Sequence, residues 1–178
     1  MTQFTLFNTA LGWFALAWRD DGLSAVHLPS SDREAARRGL LRRLPGAEEA
    51  EPPAWAAAVI ADIELLLAGG KPDFAAAPLD FAQVPGFHAR VYEIARAIPP
   101  GETLTYGQVA ERLGDKSLAR DVGQALGRNP WPIVVPCHRV VAAGGKLGGF
   151  TAPGGARTKE KLLAIEGAKA AAQPSLFG

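Results

Sequence analysis

A chain of 178 residues with 48% hydrophobic content can pack one domain or two small ones, and its single cysteine excludes a disulfide framework. No apolar run reaches the ~18 residues of a membrane span and no basic stretch leads an apolar N-terminal core, so neither span nor export signal is expected. A free thiol persists where the surroundings keep it reduced, which points to a soluble, cytoplasmic protein. The formal net charge of +1 is low for a polyanion binder, but it is unevenly divided. Residues 1–85 carry 7 Lys+Arg against 11 Asp+Glu, and residues 86–178 carry 12 against 7, so the second half is the side suited to nucleic acid.

The first half reads as a small α/β unit. Thr2 to Asn8, Trp13 to Trp18 and Leu23 to Leu28 are strand-like, separated by turn signals at Leu11-Gly12 and Asp20-Asp21-Gly22, which predicts an antiparallel sheet. Ser31 with Glu34 has the spacing of a capping box and opens a helix running to about Arg43. Its five arginines, Arg33, Arg37, Arg38, Arg42 and Arg43, could form a nucleic-acid patch, but Asp32 and Glu34 beside them favour a solvated face. After a loop from Pro45 to Pro53, a second helix runs to Ala68, with Trp55, Val59, Ile63, Leu66 and Leu67 at helical spacing. Leu79 to Phe81 reads as one more short strand before the turn residues Val84-Pro85-Gly86, where the domain boundary is expected. Nothing in residues 1–85 contradicts a scaffold role.

The second half, 86–178, is mostly helical, so the whole is expected to be α+β. Phe87 to Ile98 is amphipathic and closed by Pro99-Pro100-Gly101. Thr105 to Gln108 is a capping box that puts Tyr106 at the start of a short helix. A turn at Gly114-Asp115-Lys116 leads to Ser117, expected to cap a further helix to Gly127, and the pair has the form of a winged helix-turn-helix. Ala119, Gly123, Ala125 and Gly127 keep the second helix slim enough to approach a groove wall, with Arg120 as its one long cation. The carboxylate of Asp121 next to it would oppose phosphate.

The chemistry concentrates at Asn129-Pro130-Trp131-Pro132-Ile133-Val134-Val135-Pro136-Cys137-His138-Arg139. A thiol reacts as its thiolate, and a neighbouring imidazole and cations lower its pKa. Two readings stay open on the residues alone: a nucleophile, or a small buried hydrophobe beside Ile133, Val134 and Val135. On a strand through Cys137, His138 would point to the opposite face. Asn129 is equally open, as an ordinary Asn-Pro turn or as a brace for the cysteine segment. Three histidines and one cysteine, widely spaced, make no zinc pattern, and no metal or other cofactor is expected.

Pro136-Cys137-His138-Arg139-Val140 after Asn129-Pro130 resembles the signature of the alkylguanine-DNA alkyltransferases, or methylated-DNA-protein-cysteine methyltransferases. Four more blocks follow the family's order: Gly101 to Gln108, Ala119 to Gly123, Gly148-Gly149-Phe150, and Lys159 to Leu163 leading into Ile165-Glu166-Gly167. The similarity spans about residues 80 to 168. It implies a monomeric repair protein that flips an alkylated guanine, or thymine, out of double-stranded DNA through the minor groove. The alkyl group would pass irreversibly to Cys137, with His138 as proton acceptor through a water and Glu166 orienting it. Tyr106 would donate a proton to guanine, Asn129 would brace the turn, and Arg120 would fill the vacated stack beside the close-approaching Gly123. The carbonyls of Cys137 and Val140 would read the exocyclic amine, the N–H near Thr151 would meet the guanine oxygen, and Phe150 would stack where several members have tyrosine. Three rivals remain: a lesion-binding module without transfer, a Cys-His-Glu hydrolase, and a winged-helix regulator.

Overall fold

The computed structural model describes residues 1–145 and 155–168, and the chain has the two-unit α+β architecture expected. One unit comprises Met1–Gln83 together with Pro130–Val134; the other comprises Val84–Asn129 and the described residues from Val135 onward. The expected division at residue 85 therefore needs one amendment, because five residues just before the cysteine return to the first unit. Val26 N–H donates to Pro130 O at 2.8 Å, and the fully buried Trp131 donates its indole N–H to Leu23 O at 2.7 Å. Phe81 meets the Trp131 ring edge-on at 5.0 Å. Ile133, in the same segment, has φ +77°, a costly conformation for a β-branched residue that its complete burial holds in place.

In the first unit, β1 (Gln3–Thr9), β2 (Gly12–Arg19) and β3 (Gly22–Ser30) form an antiparallel meander. Phe14 to Trp18 of β2 are buried on both faces, as the central position requires. The helix α1 (Arg33–Arg43) covers one face, packing Leu40 against Phe4, Ala15, Ala17 and Ala25. Its N-cap is Asp32, whose carboxylate accepts Ala35 N–H at 2.8 Å; the expected Ser31–Glu34 box does not form, because β3 runs to Ser30 and the helix starts one residue later. The expected Pro45–Pro53 loop contains a two-residue strand, β4 (Glu48–Glu49), parallel to β1 and completing the order β3-β2-β1-β4. Two exposed glutamates carry no strand periodicity, so this pairing left no trace in the sequence. The helix α2 (Ala54–Leu67) buries Ala56, Val59, Ile63 and Leu66. Leu79 makes a single parallel bridge to Leu23 rather than a strand.

In the second unit, α3 (Gly86–Arg96) buries Val91, Tyr92 and Ala95. The Tyr92 hydroxyl donates to Ala125 O at 2.6 Å and ties α3 to α5 (Ala119–Gly127). Before it, the strand β5 (Leu104–Thr105) leads into α4 (Tyr106–Arg112), and the Thr105–Gln108 capping box is present with both of its hydrogen bonds. The expected Ser117 cap is replaced. Asp115 accepts Ser117 N–H at 2.9 Å and starts a 3-10 turn, Lys116–Leu118, that leads straight into α5. Val122, Ala125 and Leu126 face inward from α5 while Arg120, Asp121 and Gln124 are exposed, and among the described residues no ion pair joins Arg120 to Asp121.

The cysteine lies on a 3-10 turn, Cys137–Arg139, rather than on a strand, followed by β6 (Val140–Val141) parallel to β5. The last described helix is α6 (Gly155–Ile165). A buried arginine fixes the turn: Arg139 donates from Nη1 to Ile98 O at 2.6 Å and from Nη2 to Glu166 Oε2 at 2.6 Å, beyond the end of α6. Gly101, at φ +90°, lies in the turn after α3, where an added Cβ would press to 3.2 Å from Glu166 O. Burial alone would raise the Glu166 carboxyl, but hydrogen bonds and charge from His138 and Arg139 outweigh it and hold it down at about 2. Set against an unfolded value of about 4.3, this depression contributes on the order of 3 kcal/mol. That stability is complete above about pH 5 and is lost as the pH falls through about 2. Replacing Glu166→Gln, which leaves Arg139 buried without its anion, should cost about 3–5 kcal/mol in urea denaturation at pH 6. The gap between variant and wild type should narrow steadily towards pH 2; a gap independent of pH would show that the carboxylate charge is not what the clamp uses.

Candidate active site

The 3-10 turn brings Cys137 and His138 into one buried cluster with Glu166, Asn129 and, from α6, Lys159. His138 has no exposed surface; its Nε2 lies 3.0 Å from Glu166 Oε2, and its Nδ1 is buried with no hydrogen-bond partner among the described residues. An ionised Glu166 can only accept, so the proton of a neutral ring resides on Nε2 and Nδ1 is a bare acceptor. Burial holds the imidazole below its ordinary pKa, with Glu166 pulling upward and Arg139 and Lys159 pulling down.

Asn129 Nδ2 donates to Val135 O at 2.8 Å, bracing the segment that delivers the cysteine. Cys137 is 5% exposed, and burial pushes its thiol above the ordinary range. A side-chain hydrogen bond from Asn129, the Lys159 charge and the N–H groups of Cys137 and His138 act in the opposite direction without overcoming burial. The sequence expectation of a depressed thiol pKa is therefore corrected: at rest the group is a protonated thiol beside a neutral imidazole, because desolvation exceeds the combined effect of its donors.

Lys159 was missed in the sequence. It is 1% exposed, donates from Nζ to Val140 O at 2.8 Å, and lies 5.8 Å from the Tyr106 ring centroid. Burial lowers its pKa to about 8, offset in part by attraction to Cys137. The available signal was its place on the apolar stripe of α6, in step with Gly155, Leu162 and Leu163. Tyr106, at the first position of α4, has its phenol pKa raised by burial and then by Cys137. An added Cβ at Gly123 would sit 3.9 Å from the Tyr106 ring, so this small residue backs the phenol from α5.

Val140 belongs to the same cluster: its N–H donates to Cys137 O and its carbonyl accepts from Lys159. Arg120 stands apart, exposed in the first turn of α5. Phe150 and Thr151 lie outside the described residues. Among the described residues no three His, Cys, Asp or Glu side chains gather as metal ligands, and no helix is long and apolar enough to cross a membrane.

Residues 86–168 match the family model for the DNA-binding domain of 6-O-methylguanine DNA methyltransferase. A methylated-DNA-protein-cysteine methyltransferase from Mycolicibacterium paratuberculosis is 36% identical over 181 aligned residues, covering 99% of both chains. The crystal structure of Mycobacterium tuberculosis O6-methylguanine methyltransferase superposes with a TM-score of 0.74 at 32% identity, covering 100% of both chains. That of Mycobacterium tuberculosis OGT in complex with DNA gives 0.73 at 30% identity, covering 95% of this chain and 96% of that one. With likeness running through both units and not through the cysteine motif alone, this chain belongs to the methylated-DNA-protein-cysteine methyltransferase family.

Proposed function

We propose that this protein repairs alkylated double-stranded DNA by transferring the alkyl group from the exocyclic oxygen of guanine, or of thymine, to Cys137 Sγ, once per molecule, as a cytoplasmic monomer. The observation that carries the reading is the Cys137 thiol sharing one buried turn with a His138 whose Nε2 is held by Glu166 and whose Nδ1 has no partner among the described residues.

The target oxygen is inaccessible in a paired duplex, so the nucleotide is everted first, and unstacking is cheapest for a lesion whose pairing is already weakened. The exposed Arg120 on α5 takes the place of the everted base. The Cys137 proton passes to His138 Nδ1 through a bridging water, and Glu166 steadies the imidazolium from the other side. Sulfur attacks the alkyl carbon; the S–C bond forms as the C–O bond breaks, and the electron pair leaves with the base. Tyr106 gives its phenolic proton to the departing guanine and regains one from solvent, as His138 loses its own. Lys159 supplies positive charge near the sulfur and the Tyr106 ring while both are transiently anionic. Cys137 O and Val140 O accept from the base's amine, the N–H near Thr151 meets its oxygen, and Phe150 stacks on it. The thioether has no second nucleophile to remove it, so the protein is consumed.

A thiol with a raised pKa is a stronger nucleophile once ionised and is protected from oxidation until then. This has a measurable consequence. The rate of Cys137 alkylation by a small electrophile should climb with pH beyond the ordinary thiol value of about 8.5, and Lys159→Met should move the profile further alkaline and slow the reaction at pH 7.5 by about tenfold. A plateau below pH 8 would contradict the buried-thiol description.

The transfer itself is tested with excess duplex carrying O6-methylguanine. Mass spectrometry should find one methyl group on the peptide containing Cys137, stopping at about one equivalent per chain, and none with Cys137→Ser. Tight lesion binding with an unchanged mass would instead mark a binding module, and repeated turnover of an ester would mark a hydrolase.

A further inference from the structure

Five of the seven lysines and arginines in residues 1–85 sit in α1. Two are matched, Arg33 with Glu49 and Arg37 with Glu34. Arg38, Arg42 and Arg43 are exposed, and among the described residues none of them has a carboxylate partner. The His27 ring, from the edge strand β3, lies against this helix at Gly39, where an added Cβ would fall 2.3 Å from His27 Nε2. Arg42 and Arg43 follow Gly39 by three and four residues, one turn further along the same side. Burial, then the charges of Arg43 and Arg42, hold the imidazole below its ordinary pKa.

Arginines in a last helical turn offset the negative end of the helix dipole, and that alone would explain two of them. It does not explain a histidine seated beside them on a helix face kept bare by glycine, in a group of like charges with no carboxylate partner among the described residues. Such a group is relieved by an anion. Two guanidinium forks match the spacing of phosphate oxygens, and an imidazole that gains a proton as the anion arrives adds a third donor. We propose that His27, Arg42 and Arg43 form a phosphate-binding site at the C-terminal end of α1, sharing no residue with the cysteine site. A helix C-terminus offers anions no backbone donors, so these three side chains carry the recognition.

The full-length protein is titrated with inorganic phosphate at constant ionic strength while the His27 ring is followed by NMR. A saturable shift is expected, absent with chloride. Arg42→Gln with Arg43→Gln should weaken phosphate binding at least about tenfold. Gly39→Ala, which displaces the imidazole, should weaken it with both arginines intact. An unmoved His27, an equal response to chloride, or undiminished binding by the arginine variant overturns the site. A second arm identifies the source of the phosphate through the salt dependence of binding to undamaged duplex. A slope smaller by about 2 in the arginine variant assigns the DNA backbone, and an unchanged slope with phosphate binding intact assigns a free phosphate or phosphomonoester. Methyl transfer from the free base to Cys137 reports separately on the repair reading, since neither arginine belongs to that machinery.

Discussion

The cysteine site depends on one buried ionic arrangement, the Glu166 carboxylate held between Arg139 and His138. Three separate pieces of chain meet there: the end of α3 through Ile98 O, the 3-10 turn itself, and the residues after α6. An isolated carboxylate in this position would neutralise itself rather than stay charged. With the guanidinium beside it, it stays ionised, can only accept, and so determines which histidine nitrogen carries the proton. The tautomer of His138 is thus decided by an arginine two residues away from the sulfur.

Desolvation governs the thiol. Proximity to histidine and arginine in sequence suggests an easily ionised cysteine, but the cations that surround it in the fold are committed elsewhere: Arg139 to Glu166 and Ile98 O, Lys159 to Val140 O. What remains for the sulfur is one amide, two backbone N–H groups and the distant part of the Lys159 field, too little to offset burial. For a nucleophile that can be used only once, a protonated resting state has an evident advantage. It restricts reaction to an electrophile delivered into the site and spares the group from adventitious oxidation.

Separate contacts fix α4 and α5. Tyr106 is set at a helix start by the Thr105–Gln108 box, and Gly123 lets its ring lie close to α5. Tyr92 fixes the far end of α5 by donating to Ala125 O, four residues ahead of the Asn129 that braces Val135. Helix α5 and the cysteine turn are therefore anchored through consecutive hydrogen bonds. Asp121, exposed and with no ion pair to Arg120, lies on the outward surface of α5. In the other unit, α1 concentrates cations in a region whose net charge is negative, so any anion it holds is recognised at short range.

Local information settled a good part of this protein. Strand alternation, the helical spacing of Val59, Ile63 and Leu66, and the Thr105–Gln108 box each depend on neighbours within about one turn or one hairpin, and each is legible in order along the chain. The ordered motif blocks around Cys137 likewise identified the family before any coordinates. What the sequence could not contain was set by burial and by partners far along the chain. The choice of Asp32 over Ser31 depended on where β3 ended, β4 on a parallel partner more than forty residues away, and the return of Trp131 on a carbonyl at Leu23. The role of Lys159 and the protonated state of Cys137 belong to the same class, because a charge's cost depends on how much water the tertiary structure removes, and no run of neighbouring letters records that.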